Sequence, residues 1–158
     1  MNNDFLPPGD YLPHTPPMML LDKVRTVEDD AAVCHVKVDP EGILAPFLDQ
    51  QNALPGWFAL EIMAQTIGVW SGWHGLENGE APSVGLLLGA RDLRCEQPSF
   101  PQGSELVCHI HLSLRDEKLG SFECAITLDG EQVASARLNT YQPDEQEIEQ
   151  LLSPQINS

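Results

Sequence analysis

Basic residues are scarce in this sequence. Eight Lys and Arg stand against 24 Asp and Glu, a formal net charge of −16 over 158 residues. Such a chain repels nucleic acid and anionic membrane surfaces at long range, which sets both aside as partners. The opening MNNDFLPPGDYLPH lacks a basic stretch followed by an apolar run, so no secretory leader is expected. No segment approaches the ~18 uninterrupted apolar residues of a membrane span. These absences point to a soluble, cytoplasmic protein. Cysteine is also sparse: Cys34, Cys95, Cys108 and Cys124 lie far apart with no C-x-x-C pair, which argues against a zinc knuckle or a redox motif. In a reducing compartment all four are expected to serve as small core hydrophobes. Internal repeats and linkers are missing too. The expectation is therefore one domain over residues 1–158, with its core at about 11–141 and an acidic tail at 143–158; the 42% apolar content suffices for such a core.

What is present reads as a run of strands interrupted once. After a Pro-rich lead-in (Pro7, Pro8, Pro13, Pro16, Pro17), Met18 to Val27 and Ala31 to Val38 look like strands separated by a polar turn. From Pro55 to about Trp73, PGWFALEIMAQTIGVWSGW loses strict alternation and carries a proline suited to the first helical position. This segment is expected to be the only long helix, about five turns. Val84 to Cys95, Glu105 to Arg115, Ser121 to Leu128 and Gln132 to Tyr141 then read as four more strands, the last two joined at Asp129-Gly130. Leu106, Cys108, Ile110, Leu112 and Leu114 alternate with mostly polar neighbours, placing one face of that strand on a core. One helix followed by antiparallel strands is an α+β domain. Because the helix is apolar nearly all round, burial beneath the sheet is expected.

Between Asp49 and Glu77 the only residue expected to be charged at neutral pH is Glu61, in the middle of that apolar helix. A buried carboxylate is costly unless something uses it, and desolvation would let it keep a proton and act as a general acid. Glu61, Gln65, Gly68 and Gly72 fall on one helical stripe, polar at one end and bare at the other. Two readings stand. The stripe lines a narrow cavity in which Gln65 supports Glu61 and the glycines admit a chain-like ligand. Alternatively, Glu61 pairs with an arginine and the glycines allow close helix packing. At the helix start, the Gly56 amide is unshielded by a side chain and lies at the positive end of the dipole, where it could hold a carbonyl oxygen.

LPGWFALEIMAQTIGVWSGW resembles the central helix of the hot-dog 3-hydroxyacyl-ACP dehydratases, which begins P-G and continues to an acid in E-A-M-A-Q or D-A-M-W-Q. Here Pro55-Gly56 and Glu61-Ile62-Met63-Ala64-Gln65 match at the same spacing. YLPHTPPMMLLDKV is similar to the family's P-H followed by a strand ending L-x-D-x-V. GLLLGARDLRCEQPSFPQGSELVCHIHLS and DGEQVASARL are similar to its later strands and turns. The match covers roughly residues 11 to 141. The resemblance implies a hot-dog fold in which a sheet wraps the helix, two protomers join sheets side by side, and each active site lies at their interface. It implies an acyl-ACP or acyl-CoA thioester substrate and no metal or organic cofactor. Glu61 takes the acid role, Gly56 holds the thioester carbonyl, and Gln65 supports the acid. Phe47, Pro55 and Gly68 border the substrate.

One position departs from the pattern. The family's catalytic histidine lies eight residues before the second motif proline, which in this chain is Phe47, and FLDQQNAL has no histidine. A phenyl ring cannot accept a proton, so the chain alone should lack the base. His14 matches the family's P-H, which is structural there; His109 and His111 share a strand face with no third metal ligand; His74 reads as a C-terminal capping cation; and His35 lies on an early strand. The favoured expectation is a half-site subunit whose base comes from a related hot-dog protein in a heterodimer, resembling the accessory dehydratase subunits of polyene-type pathways such as aryl polyene synthesis. A homodimer is also compatible with the fold. A hot-dog thioesterase and a non-catalytic acyl-binding or partner-stabilising subunit remain as alternatives. An acidic carrier would need a local basic patch on this chain. Arg91 and Arg94 are the first candidates and Lys23 and Arg25 the next, ordinary solvated charges being the other reading.

Overall fold

A computed structural model describes residues 5–12, 19–79, 86–116 and 118–141. His14, Met18, Val84 and the acidic tail from Pro143 lie outside the described residues. The elements in chain order are β1 (Lys23–Val27), β2 (Ala31–Lys37), β3 (Leu54–Pro55), α1 (Phe58–Glu77), β4 (Leu86–Cys95), β5 (Ser99–Phe100), β6 (Glu105–Asp116), β7 (Leu119–Leu128) and β8 (Glu131–Tyr141). Short 3-10 turns occupy Pro8–Tyr11 and Ala45–Phe47.

Six strands form one antiparallel sheet in the order β1-β2-β6-β7-β8-β4, with β3 and β5 paired apart from it. Period-two alternation decides which face meets the core. Ala32, Cys34 and Val36 on β2, Leu106, Cys108 and Ile110 on β6, and Phe122, Cys124 and Ile126 on β7 are buried. The residues between them point to the opposite face. The β7–β8 hairpin turns at Asp129 (φ 53°) and Gly130 (φ 85°), the pair of positive dihedrals that a two-residue type I′ turn requires.

Against the inner face lies α1, packed mainly on β2, β6 and β7. Ala59, Ile62, Met63, Thr66, Ile67, Val69 and Trp70 form its sealed flank. Each large aliphatic side chain removed from water there contributes about 1.5–3 kcal/mol. Thr66 is the polar exception; its hydroxyl donates to the Ile62 carbonyl one turn back, at 2.8 Å. Three of the expected core cysteines, Cys34, Cys108 and Cys124, are buried here. Burial pushes the Cys34 and Cys108 thiols up to about 12 and raises Cys124 as well.

Two expectations need correction at this level. The helix begins at Phe58, because Leu54 and Pro55 pair with Phe100 and Ser99 as a two-residue ladder and Gly56 turns the chain. Pro55 is thus a strand residue, not the first helical one. Cys95 is exposed, since β4 is an edge strand with no layer over it. Among the described residues no helix is long and apolar enough to cross a membrane.

Candidate functional site

The flank of α1 turned away from the sheet carries the residues singled out by the sequence. Trp57 caps the helix start at 75% exposure, and Glu61, four residues on, projects from the same side in the first turn. Glu61 is exposed, so the expectation that its own chain buries it is wrong. Apolar composition on every side of α1 does not mean cover on every side: the single sheet seals one flank and leaves Trp57, Leu60, Glu61 and Ala64 open or half-buried. No arginine pairs with Glu61 among the described residues, so the structural alternative fails for this residue too.

The rest of the stripe is already in use. Gln65 Oε1 accepts the Leu20 amide at 3.0 Å, fixing the segment that leads into β1. A Cβ added at Gly68 would lie 2.7 Å from Leu12 Cδ2, and one at Gly72 would collide with the Tyr11 carbonyl. The glycines therefore let the N-terminal segment cross α1 closely. They do not open a channel for a ligand along this stretch.

Gly56 also departs from its expected role. Its amide donates to the Pro98 carbonyl at 2.8 Å and so is not free for a substrate oxygen in this structure. A Cβ there would stand 2.7 Å from the Gln97 carbonyl and 3.2 Å from Cys95 Sγ, which is why only glycine lets the Cys95–Pro98 turn come so close. Beside it, Gly56, Trp57, Leu60, Leu93, Cys95 and Gln97 line an open cleft of about 430 Å³. Gln97 Oε1 is buried there without a hydrogen-bond partner among the described residues.

Phe47, at the position the resemblance assigns to a catalytic histidine, sits in the second 3-10 turn and meets Phe58 ring to ring at 5.5 Å; Phe58 in turn meets Trp57 at 6.1 Å. The helix start is thus flanked by an aromatic cluster with no proton acceptor in it. The four described histidines are elsewhere. His35, His109 and His111 lie on the outer face of the sheet, His35 beside Glu105 and His111 beside Asp30, each at 3.3 Å. His74 lies in the last turn of α1, where a basic residue was expected, and its ring donates to the Glu28 carbonyl at 2.8 Å, which also accepts Trp70 Nε1–H at 3.1 Å, so the two side chains pin the β1–β2 turn to the helix end. Thirteen residues of helix separate His74 from Glu61, ~20 Å along the axis. Among the described residues no group of three His, Cys, Asp or Glu side chains could hold a metal ion.

The structure thus brings Phe47, Gly56, Trp57 and Glu61 to one end of α1 and assigns Gln65, Gly68 and Gly72 to internal packing. Trp57 was not anticipated, although a tryptophan directly before a helix that ends a strand pair is a visible signal. The edge strand β4 was not read as an edge either. It exposes Leu87, Leu88 and Leu93 at 42%, 59% and 51%, and its outer side has no neighbour in the sheet. An exposed strand edge bearing large apolar side chains next to an open helix flank is a surface suited to another chain.

Residues 6–153 match the family model described as ApeP-like, ApeP dehydratase. Among solved structures, the dehydratase heterocomplex ApeI:P from Xenorhabdus doucetiae includes a chain 51% identical to this one, with a TM-score of 0.87 over 96% of this chain and 100% of that chain. The 3-hydroxyacyl-(acyl-carrier-protein) dehydratase FabZ of Acinetobacter baumannii is 28% identical over 129 residues, 81% of this chain and 88% of its own. A variant of the phenylacetic acid degradation protein PaaI from Thermus thermophilus, 15% identical with a TM-score of 0.59 over 77% of this chain and 92% of that one, shares the fold.

Proposed function

This chain belongs to the ApeP-like dehydratase family, and from that premise we propose that it is one subunit of a two-subunit 3-hydroxyacyl-carrier-protein dehydratase. It supplies the acid, Glu61, and a related hot-dog protein supplies the base. The observation that carries this reading is the pairing of an exposed acid with a missing base: Glu61 stands uncovered at the helix start while Phe47 packs on Phe58 where a histidine would be needed. A relative of 51% identity lies in a complex named ApeI:P, which supports assembly with a second dehydratase subunit.

In this reading the partner covers Trp57, Leu60 and Glu61 and joins its sheet to β4. The Glu61 carboxyl then faces the substrate as the proton donor. The partner's histidine takes a proton from C2 of the acyl thioester, the C3–O bond breaks as Glu61 protonates the departing hydroxyl, and water leaves as the C2–C3 double bond forms. Polarising the thioester carbonyl requires a donor at the start of α1. Gly56 can serve only if assembly releases its amide from Pro98. The reaction needs no metal or organic cofactor. We read residues 1–158 as a single hot-dog domain acting in the cytoplasm on carrier-linked acyl chains of polyene-type synthesis.

The test is dehydration of a 3-hydroxyacyl carrier protein by the purified chain, by its histidine-bearing partner, and by the co-expressed pair. Enoyl thioester from the pair, with none from this chain alone, is the expected result. Release of free acid would instead identify a thioesterase. Full activity in the partner alone, unchanged by this chain, would reduce it to a non-catalytic subunit.

A further inference from the structure

The strand edge that a partner must reach is cationic. A chain that covers Trp57 and Leu60 comes alongside the end of β4, because Leu93 and Cys95 line the same cleft. There β4 is the edge of the sheet, with β8 as its one neighbour. Arg91 and Arg94 stand in its outer row, opposite Arg137 and Ser135 of β8. Both are exposed, and neither has an ion-pair partner among the described residues. Arg137 is already engaged by Glu123 at 3.3 Å, so that carboxylate is not left for Arg91. Asp92 lies between the two arginines in sequence, but it occupies a bulge in the left-handed region (φ 53°) and pairs with neither. Acidic residues are abundant in this chain, yet none is placed on these two side chains.

Two copies of this chain joined through β4 would be related by a two-fold axis, which runs the strands antiparallel and sets each against its own sequence. Centred anywhere from Arg91 to Arg94, such a seam puts an arginine of one copy directly or diagonally across from an arginine of the other. Like charges in those positions repel. The net charge of −16 on each copy adds repulsion at long range. The edge therefore resists the homodimer that the fold allows. A facing strand that carries Asp or Glu in its outer row relieves the conflict, since guanidinium groups bind carboxylates in bidentate fashion.

We infer that Arg91 and Arg94 select a non-identical subunit, a hot-dog chain whose own edge strand sets carboxylates across from them, and so direct assembly to the heterodimer. The inference rests on the two-subunit reading above and names the chemistry of the partner edge. Main-chain hydrogen bonds along β4 give affinity for any strand, and side chains beside the seam decide which strand it is. Specificity of this kind has two halves, attraction to the correct partner and repulsion of the wrong one. Here the same two side chains supply both.

The test compares three forms of the full chain: the parent, the double variant Arg91→Ala with Arg94→Ala, and the double variant Arg91→Glu with Arg94→Glu. Each is titrated against itself, and against the histidine-bearing partner of the dehydration assay, by analytical ultracentrifugation, with circular dichroism to confirm folding. The parent should bind the partner at least about tenfold more tightly than it binds itself. The Glu form should lose about tenfold or more in affinity for the partner, the scale of a like-charge clash at an interface, and should pair with the parent chain more tightly than the parent pairs with itself. The Ala form should self-associate more strongly than the parent and bind the partner less strongly. Partner affinity unchanged in both variants would overturn the inference. A parent homodimer as tight as the heterodimer would overturn it as well, since the edge would then select nothing. If subunit affinities respond as expected but the parent complex forms no enoyl thioester, the selecting edge stands and the dehydratase reading falls.

Discussion

The two flanks of α1 have nearly the same composition and opposite fates. Ile62, Met63, Val69 and Trp70 are sealed against β2, β6 and β7, while Trp57 and Glu61 are exposed and Leu60 and Ala64 only half-buried. Apolar surface on the first flank is accounted for by the chain's own sheet. On the second it is not, and Glu61, the only acidic residue between Asp49 and Glu77, stands in the middle of it. A helix whose every side is apolar but whose sheet covers one side is half of a larger interface.

The comparison is broken most sharply by substituting one residue on each flank and assaying the assembled complex. Glu61→Gln should lower dehydration by about 10²–10⁴-fold, the contribution of a positioned general acid, with a melting temperature close to that of the parent. Met63→Ala, two residues away but fully buried, should do the reverse. Its cavity should cost about 2–5 kcal/mol and lower the melting temperature by roughly 5–15 °C, while turnover per folded complex is retained. If both variants lost activity in proportion to stability, Glu61 would belong to the structure and not to the chemistry.

A third substitution sharpens the division within the stripe itself. Gly72→Ala places a methyl group against the Tyr11 backbone, and overpacking of this kind costs about 1–3 kcal/mol. Urea denaturation should show the loss as a lower midpoint with an unchanged slope. Dehydration by the folded fraction should be unaffected, since Gly72 serves the crossing of the N-terminal segment. An altered preference for acyl chain length would return the glycines to the ligand cavity first expected of them.

Most of the sheet was legible because period two is written into the residues: β2, β6, β7 and β8 begin and end within two residues of their expected bounds. The Asp129-Gly130 turn was legible for a local reason, since few residue pairs accept two positive φ angles. Glu61 stood out by charge alone. Its exposure was not readable, because composition says that a helix has apolar sides but not which side its own chain will cover. The same limit applies to Gly56 and Pro55. A P-G pair before a helix looks like a helix start, and only the pairing of Leu54 with Phe100 and of Pro55 with Ser99, far along the chain, shows it to be a strand end with the glycine amide occupied. Cys95 was misread for a related reason: it lies on a strand that has a neighbour on one side only.

The smallest expected effect concerns the cysteines, which report on both sides of the sheet at once. Cys34, Cys108 and Cys124 lie beneath it, and burial holds the first two thiols protonated until pH approaches about 12, with Cys124 raised for the same reason. The thiolate is the reactive form, so raising the pH to about 10 should not recruit them. Cys95 is exposed on β4, its thiol donating to the Gln97 carbonyl at 3.0 Å beside the cleft at the helix start. A disulfide reagent such as Ellman's should therefore titrate one thiol per native chain and four after unfolding. Complex formation adds a second reading. If the partner covers the open flank of α1, Cys95 should react more slowly in the complex than in the isolated chain while the buried three stay silent in both. Unchanged labelling of Cys95 would place the partner's contact away from the cleft and separate the covered flank from the β4 edge.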